Sequence, residues 1–165
     1  MSKVGIVGVG FVGGSLLEVL KYSHTVLAYD KYKGMGSLKH ALEAPVVFVC
    51  VPSPTVHGKQ DLQILEQVLS EIDADGYSGV VVIKSTILPG TMLKLASKHQ
   101  ALRLVHNPEF LRERSAVDDM KNQGVCLLSG TVYDVELVSE IFRASIPGIR
   151  FLSSGTYAET ELAKY

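Results

Sequence analysis

Seven residues, Asn107-Pro108-Glu109-Phe110-Leu111-Arg112-Glu113, set two carboxylates and a guanidinium around a Phe-Leu pair, directly after an apolar run. A carboxylate next to apolar side chains is partly desolvated, a setting that suits general-base work. The residues alone also allow a plainer use, with Glu109 and Glu113 as surface acids paired to Arg112 and Arg114. A second group with chemical capacity opens the chain. Gly8-Val9-Gly10-Phe11-Val12-Gly13 has the spacing G-x-G-x-x-G, between a strand-like run and a helix-like one.

In that context each glycine has a task. Gly8 permits the tight turn, Gly10 lets the backbone approach a pyrophosphate, and Gly13 lets helix and strand pack closely. The helix N-terminus then turns free N–H groups and a positive dipole end towards the phosphates. Asp30 ends the next strand about 20 residues on, where a carboxylate accepts ribose hydroxyls and repels a 2′-phosphate. NAD is therefore expected rather than NADP, although Lys31 and Lys33 could pair with such a phosphate.

These groups need a scaffold. Apolar runs of strand length alternate with helical spacing: strands at 3–7, 25–29, 46–51, 79–84, 102–105, 125–128 and 149–152, helices at 11–22, 61–72, 90–99 and 131–144. Asp61 and Thr131 read as N-caps. Strands apolar on both faces and separated by helices imply an α/β domain with a mostly parallel sheet, Rossmann-like and doubly wound. Between Asp30 and Pro45 there is room for only a short helix, about 37–43. The third strand usual at this point is expected to be missing, so that residues 46–51 pair directly with the first strand, in the order 2-1-3-4-5.

Bulk properties narrow the function. A length of 165 residues suits one domain, and a net charge of −1 with no basic block argues against nucleic acid as a partner. No apolar run approaches the ~20 residues of a membrane span, and no signal-peptide pattern precedes the first strand. Cys50 and Cys126 lie in β-like runs and read as buried structural thiols of a reducing, cytoplasmic compartment. His57, His99 and His106 have no metal-ligand spacing, and His106 reads as structural.

Further segments follow in order: Val51-Pro52-Ser53-Pro54-Thr55, then Lys84-Ser85-Thr86-Ile87-Leu88-Pro89-Gly90-Thr91, then residues 107–113, then Glu161-Leu162-Ala163-Lys164-Tyr165. With the opening GVGFVGG, this succession resembles the N-terminal domain of the UDP-glucose/GDP-mannose dehydrogenase family over nearly the whole chain. KSTxxPGT and NPEFLRE are its most specific parts. The resemblance implies NAD-dependent oxidation of a sugar C6 alcohol to a carboxylate in two steps, through a thiohemiacetal and a thioester on a cysteine of a later domain. It implies that residues 8–13, Asp30, Val51 to Thr55, Ser85, Thr86 and Glu113 attend the cofactor. Thr86 would also position the water, Glu109 act as acid/base of the hydrolysis, and Lys164 stabilise the oxyanion. Phe110, Leu111 and Arg112 would shape the sugar-nucleotide site, with Glu113 between nicotinamide and substrate. UDP-glucose is the favoured nucleotide sugar.

Departures from the family qualify this. Arg114 stands where the family usually has Gly, and neither Cys50 nor Cys126 lies in its cysteine motif. Residues 1–155 read as the dinucleotide-binding domain and 156–165 as the start of a helix leading onwards, with Thr156 and Glu159 in capping-box spacing. The chain stops one turn into that helix, which reads as a boundary within a longer protein. The resemblance implies a dimer for the full-length family through a helix past this point, so these residues are expected to be monomeric or to expose an apolar patch. Turnover by these residues alone is expected to be slight. A free-standing NAD-binding module, half of a split enzyme, and a 3-hydroxyacid or 6-phosphogluconate-type dehydrogenase are the competing readings.

Overall fold

A computed structural model of the chain describes residues 1–154 and 156–163. In chain order the elements are β1 (Lys3–Val7), α1 (Phe11–Leu20), β2 (Thr25–Tyr29), α2 (Leu38–Ala41), β3 (Val46–Val49), β4 (Thr55–Val56), β5 (Lys59–Gln60), α3 (Gln63–Ala74) and β6 (Val80–Ile83). Then come α4 (Thr91–Lys98), β7 (Arg103–His106), a 3-10 turn (Glu113–Ser115), α5 (Ala116–Lys121), β8 (Val125–Ser129), α6 (Val132–Ser145), β9 (Arg150–Ser154) and α7 (Tyr157–Leu162).

The main sheet has the order β2-β1-β3-β6-β7-β8-β9. Its first five strands are parallel, with Val47 opposite Gly5 and Val80 opposite Val46. β8 meets β7 antiparallel through the pair His106 and Ser129, and β9 runs parallel to β8. The expected loss of a strand after β2 is what the structure has. Among the described residues, none between 31 and 44 forms a strand, and an isolated antiparallel bridge joins Asp30 to Met35. Gly36 makes this turn possible, for its φ is +60° and a Cβ there would lie 2.2 Å from the Ala28 carbonyl oxygen.

Alternation along the strands accounts for the two cores. Val46, Phe48, Val80 and Val82 face one side, where Leu16, Leu20, Met120 and Phe142 cover them from α1, α5 and α6. Val47, Val49, Val81 and Ile83 face the other, beneath Leu65, Leu69, Met92 and Leu95 of α3 and α4. Strands so placed need apolar residues at every position, which is why period-2 alternation is absent from them.

Several local features differ from the sequence expectation. α3 starts at Gln63 with Leu62 at the N-cap position, although the Asp61 carboxylate still accepts the Gln63 amide at 2.9 Å. Thr131 does cap α6, accepting from Asp134 N at 3.2 Å. The β4–β5 hairpin, the 3-10 turn and α5 were not expected. All are shorter than two helical turns or three strand residues, too short for periodicity to register.

Candidate functional site

A cleft of about 520 Å³ opens where β1, β2, β3 and β6 end, the place where ligands bind in open parallel sheets. Its first wall is the glycine loop. Gly8 has φ +88°, and a Cβ there would meet the Cys50 carbonyl oxygen at 2.8 Å. At Gly13 a Cβ would sit 1.9 Å from the Gly8 carbonyl oxygen, so helix and loop touch backbone to backbone. Gly10 is different: nothing lies within 4 Å of its would-be Cβ. Gly10 is the N-cap residue of α1, which has no side-chain cap and no acidic residue in its first turn. An uncapped helix N-terminus under an open glycine is an anion cradle, and it fits the pyrophosphate of a dinucleotide.

Asp30 forms the rim. Its Oδ2 accepts the Val9 amide at 2.7 Å, and its Oδ1 accepts the Tyr32 and Lys33 amides at 3.0 and 2.9 Å. Burial works against the charge, but the Val9, Lys33 and Tyr32 amides with the Lys33 ammonium outweigh it and hold the carboxyl below its ordinary range. Asp30 is thus an anion that also ties the β2 exit to the glycine loop. Lys31 and Lys33 line the same cleft, and the Lys33 ammonium donates to the Val9 carbonyl.

The opposite wall joins three strand ends by side chain to backbone. Ser85 donates to the Val51 carbonyl at 2.6 Å, and Ser53 donates to the Thr86 carbonyl. Gln60, from β5, donates to that same Thr86 carbonyl at 2.7 Å and accepts the Leu88 amide at 3.0 Å. Val51, Pro52, Ser53, Pro54, Ser85 and Thr86 all line the cleft, whereas Val9, Gly13 and Thr55 do not.

At the floor lies a buried polar group. Lys84 is 2% exposed and donates to Asn107 Oδ1 at 2.8 Å. Asn107 donates in turn to the Leu127 carbonyl at 2.8 Å, joining the β7 exit to β8. Glu109 is 7% exposed, lines the cleft, and accepts the Leu111 amide at 2.7 Å. Beyond Glu109 the segment leaves the cleft. Leu111 packs on the core, and Phe110 is half exposed. Arg112 turns to Asp119 of α5, with Nη2 to Oδ1 at 2.7 Å and Nε to Oδ2 at 3.1 Å, which holds the Asp119 carboxyl far below its usual range. Glu113 is exposed at the start of the 3-10 turn. Lys164 lies outside the described residues.

Neither cysteine is set up as a nucleophile. Burial pushes the Cys50 thiol up to about 12 and the Cys126 thiol up to about 11, the nearby Lys84 ammonium notwithstanding. Among the described residues no three His, Cys, Asp or Glu side chains gather as metal ligands.

Against α4, β7 and β8, α7 docks through buried polar groups. Glu161 is 0% exposed, and its two oxygens accept the Gly90 and Met92 amides at 2.7 Å each, capping α4 from another helix. Thr160 meets His106 Nδ1 at 2.8 Å and Ser129 at 2.7 Å. Burial, with the Lys84 charge, lowers the His106 pKa to about 4, so the ring is neutral. Sequence reasoning gave no role to Lys84, Gln60 or Glu161. A lysine closing an all-apolar strand was the one readable signal among them.

The comparisons with known proteins agree with this geometry. The NAD binding domain of the UDP-glucose/GDP-mannose dehydrogenase family matches residues 25–145. The UDP-glucose 6-dehydrogenase of Rhizobium meliloti is 32% identical over 99% of this chain and 48% of its own length. That of Rickettsia conorii is 28% identical over 88% of this chain and 35% of its own length. The chain thus spans half or less of the length of these relatives. The crystal structure of GDP-mannose dehydrogenase from Pseudomonas aeruginosa has the same fold, with a TM-score of 0.82 at 23% identity, over 100% of this chain and 48% of that one. On the family match, with a glycine cradle and a strand-end carboxylate that fit the cofactor, the chain belongs to the UDP-glucose/GDP-mannose dehydrogenase family and carries its NAD-binding domain.

Proposed function

We propose that the chain is the NAD-binding part of a nucleotide-sugar 6-dehydrogenase of the cytoplasm, with UDP-glucose as the favoured substrate, whose C6 alcohol is oxidised to a carboxylate. The observation that carries the reading is one cleft holding both the glycine cradle and the buried Glu109 carboxylate. Bound NAD supplies a hydride acceptor. The chain's own residues would do the rest. The amides of the α1 N-terminus hold the phosphates, and Asp30 receives the ribose hydroxyls. Glu109, buried in the cleft that Lys84 and Thr86 also line, takes and returns the proton of the hydrolytic water, which Thr86 orients. Phe110, Leu111, Arg112 and Glu113 border the sugar nucleotide, and Lys164 offsets the developing oxyanion.

Both cysteines are buried and burial raises both thiols, so this reading assigns the thiol of a two-step oxidation to another residue. The test is to give these 165 residues NAD and UDP-glucose, then GDP-mannose, and to follow NADH absorbance beside calorimetric binding. The expected result is a ternary complex, tighter with UDP-glucose, without steady NADH formation. Sustained NADH production would contradict it, and preference for GDP-mannose would reassign the sugar.

A further inference from the structure

The Thr86 carbonyl accepts two side-chain donors, Ser53 and Gln60, and a carbonyl oxygen has two lone pairs to give. The second donor belongs to a carboxamide whose other end accepts the Leu88 amide. A C=O and an N–H two residues apart are the pair that one residue of a parallel neighbouring strand binds with its own N–H and C=O, and here one carboxamide supplies both groups. The Gln60 side chain therefore stands in for a missing strand beside residues 86–88.

The hairpin that carries Gln60 gains by the same contact. Two residues per strand, around a turn with His57 at φ +50° and Gly58 at φ +74°, do not hold together unaided in water. The Asp61 amide on the Pro54 carbonyl at 2.8 Å only extends the hairpin's own ladder; the Gln60 clip, with Ser53 on the same Thr86 carbonyl, ties it to the β6 exit. Only a carboxamide has the right ends. Glutamate would turn an anionic oxygen on the Thr86 carbonyl, and leucine would take the partner from the Leu88 amide and leave Ser53 as the one remaining side-chain donor of these two to the Thr86 carbonyl.

We propose that Gln60 is the positioning residue of the NAD cleft's second wall, clipping the β4–β5 hairpin over the β6 exit so that Ser85 and Thr86 are held at the cofactor. The proposal rests on reading the cleft as the NAD site. Its test uses Gln60→Leu and Gln60→Glu in this chain, with calorimetric NAD titration, thermal unfolding and backbone amide exchange of Leu88 measured without NAD. In Gln60→Leu, Leu88 should lose its exchange protection and the NAD Kd should rise about tenfold, the upper size expected for one hydrogen bond. In Gln60→Glu, Leu88 should stay protected while the NAD Kd rises at least as much. Unchanged Leu88 protection in the leucine variant overturns the proposal. So does an NAD Kd within about twofold of wild type in both variants, which would leave Gln60 a merely structural residue even if the thermal midpoint fell. Failure of the wild-type chain to bind NAD would sink the cofactor assignment instead, and the clip would then be judged on Leu88 exchange alone.

Discussion

Gly10 and Gly13 stand three residues apart in one loop, yet their replacement by alanine should fail in different ways. At Gly13 the new methyl would lie 1.9 Å from the Gly8 carbonyl oxygen, a backbone atom that cannot rotate aside. Ordinary contact begins near 3.4 Å, so α1 and the loop must separate by about 1.5 Å. Overpacking of that kind costs about 1–3 kcal/mol, and the gain in helix propensity returns at most about 1 of it. With a backbone overlap this deep the net loss should be about 1–2 kcal/mol, and for a chain of this size the melting temperature should fall by roughly 2–8 °C. At Gly10 the methyl meets no protein atom within 4 Å, and φ is −72°, so folding should change by less than about 1 kcal/mol, the loss of a glycine N-cap. The same methyl occupies the side from which a pyrophosphate approaches. Losing one charge-assisted hydrogen bond there is worth about 1.5–3 kcal/mol, a rise in NAD Kd of roughly tenfold to a hundredfold. Thermal unfolding and calorimetric titration of both variants check this. A Gly10→Ala protein that binds NAD like wild type would refute the assignment of Gly10 to the phosphate cradle. A Gly13→Ala protein as stable as wild type would refute the packing argument.

Three further outcomes follow from the buried polar groups. Glu161→Ala strips the Gly90 and Met92 amides of their acceptors and should lower stability by about 2–4 kcal/mol in urea titration; an unchanged midpoint would mean water replaces the carboxylate at no cost. His106 has its pKa lowered from 6.5 to about 4, so the unfolded chain binds the extra proton, and the histidine's contribution is whole above about pH 6.5 and lost as pH falls towards 4. Over that window wild type should lose about 3 kcal/mol more than a His106→Gln variant, and parallel pH profiles would count against this. Cys50 and Cys126 should resist a thiol reagent in the native protein and react after denaturation; fast native labelling would contradict their burial.

Much of the architecture was legible because it rests on local rules. Fully apolar strands declared a sheet covered on both faces, and the short stretch after Asp30 left no length for another strand beside β2. The glycine spacing carried the cradle, since what it encodes is the absence of a Cβ. The rest was hidden where a side chain's partner is distant in the chain. Arg112 could have met Glu109, Glu113 or solvent, and only the folding of α5 gave it Asp119. Glu161 reads as an ordinary helix acid until α4 is laid against α7, and Gln60 as a hairpin residue until Thr86 is brought beside it.

The central claim is that the cleft between the glycine loop and Thr86 takes NAD, with Asp30 selecting against the 2′-phosphate. Calorimetric titration of the wild-type chain with NAD and then NADP tests this most directly. The account predicts saturable NAD binding and an NADP affinity at least about tenfold weaker, the cost of setting a phosphate against a carboxylate that stays ionised at neutral pH. Equal or tighter binding of NADP, through Lys31 and Lys33, would contradict the role given to Asp30, and no binding of either would contradict the site itself.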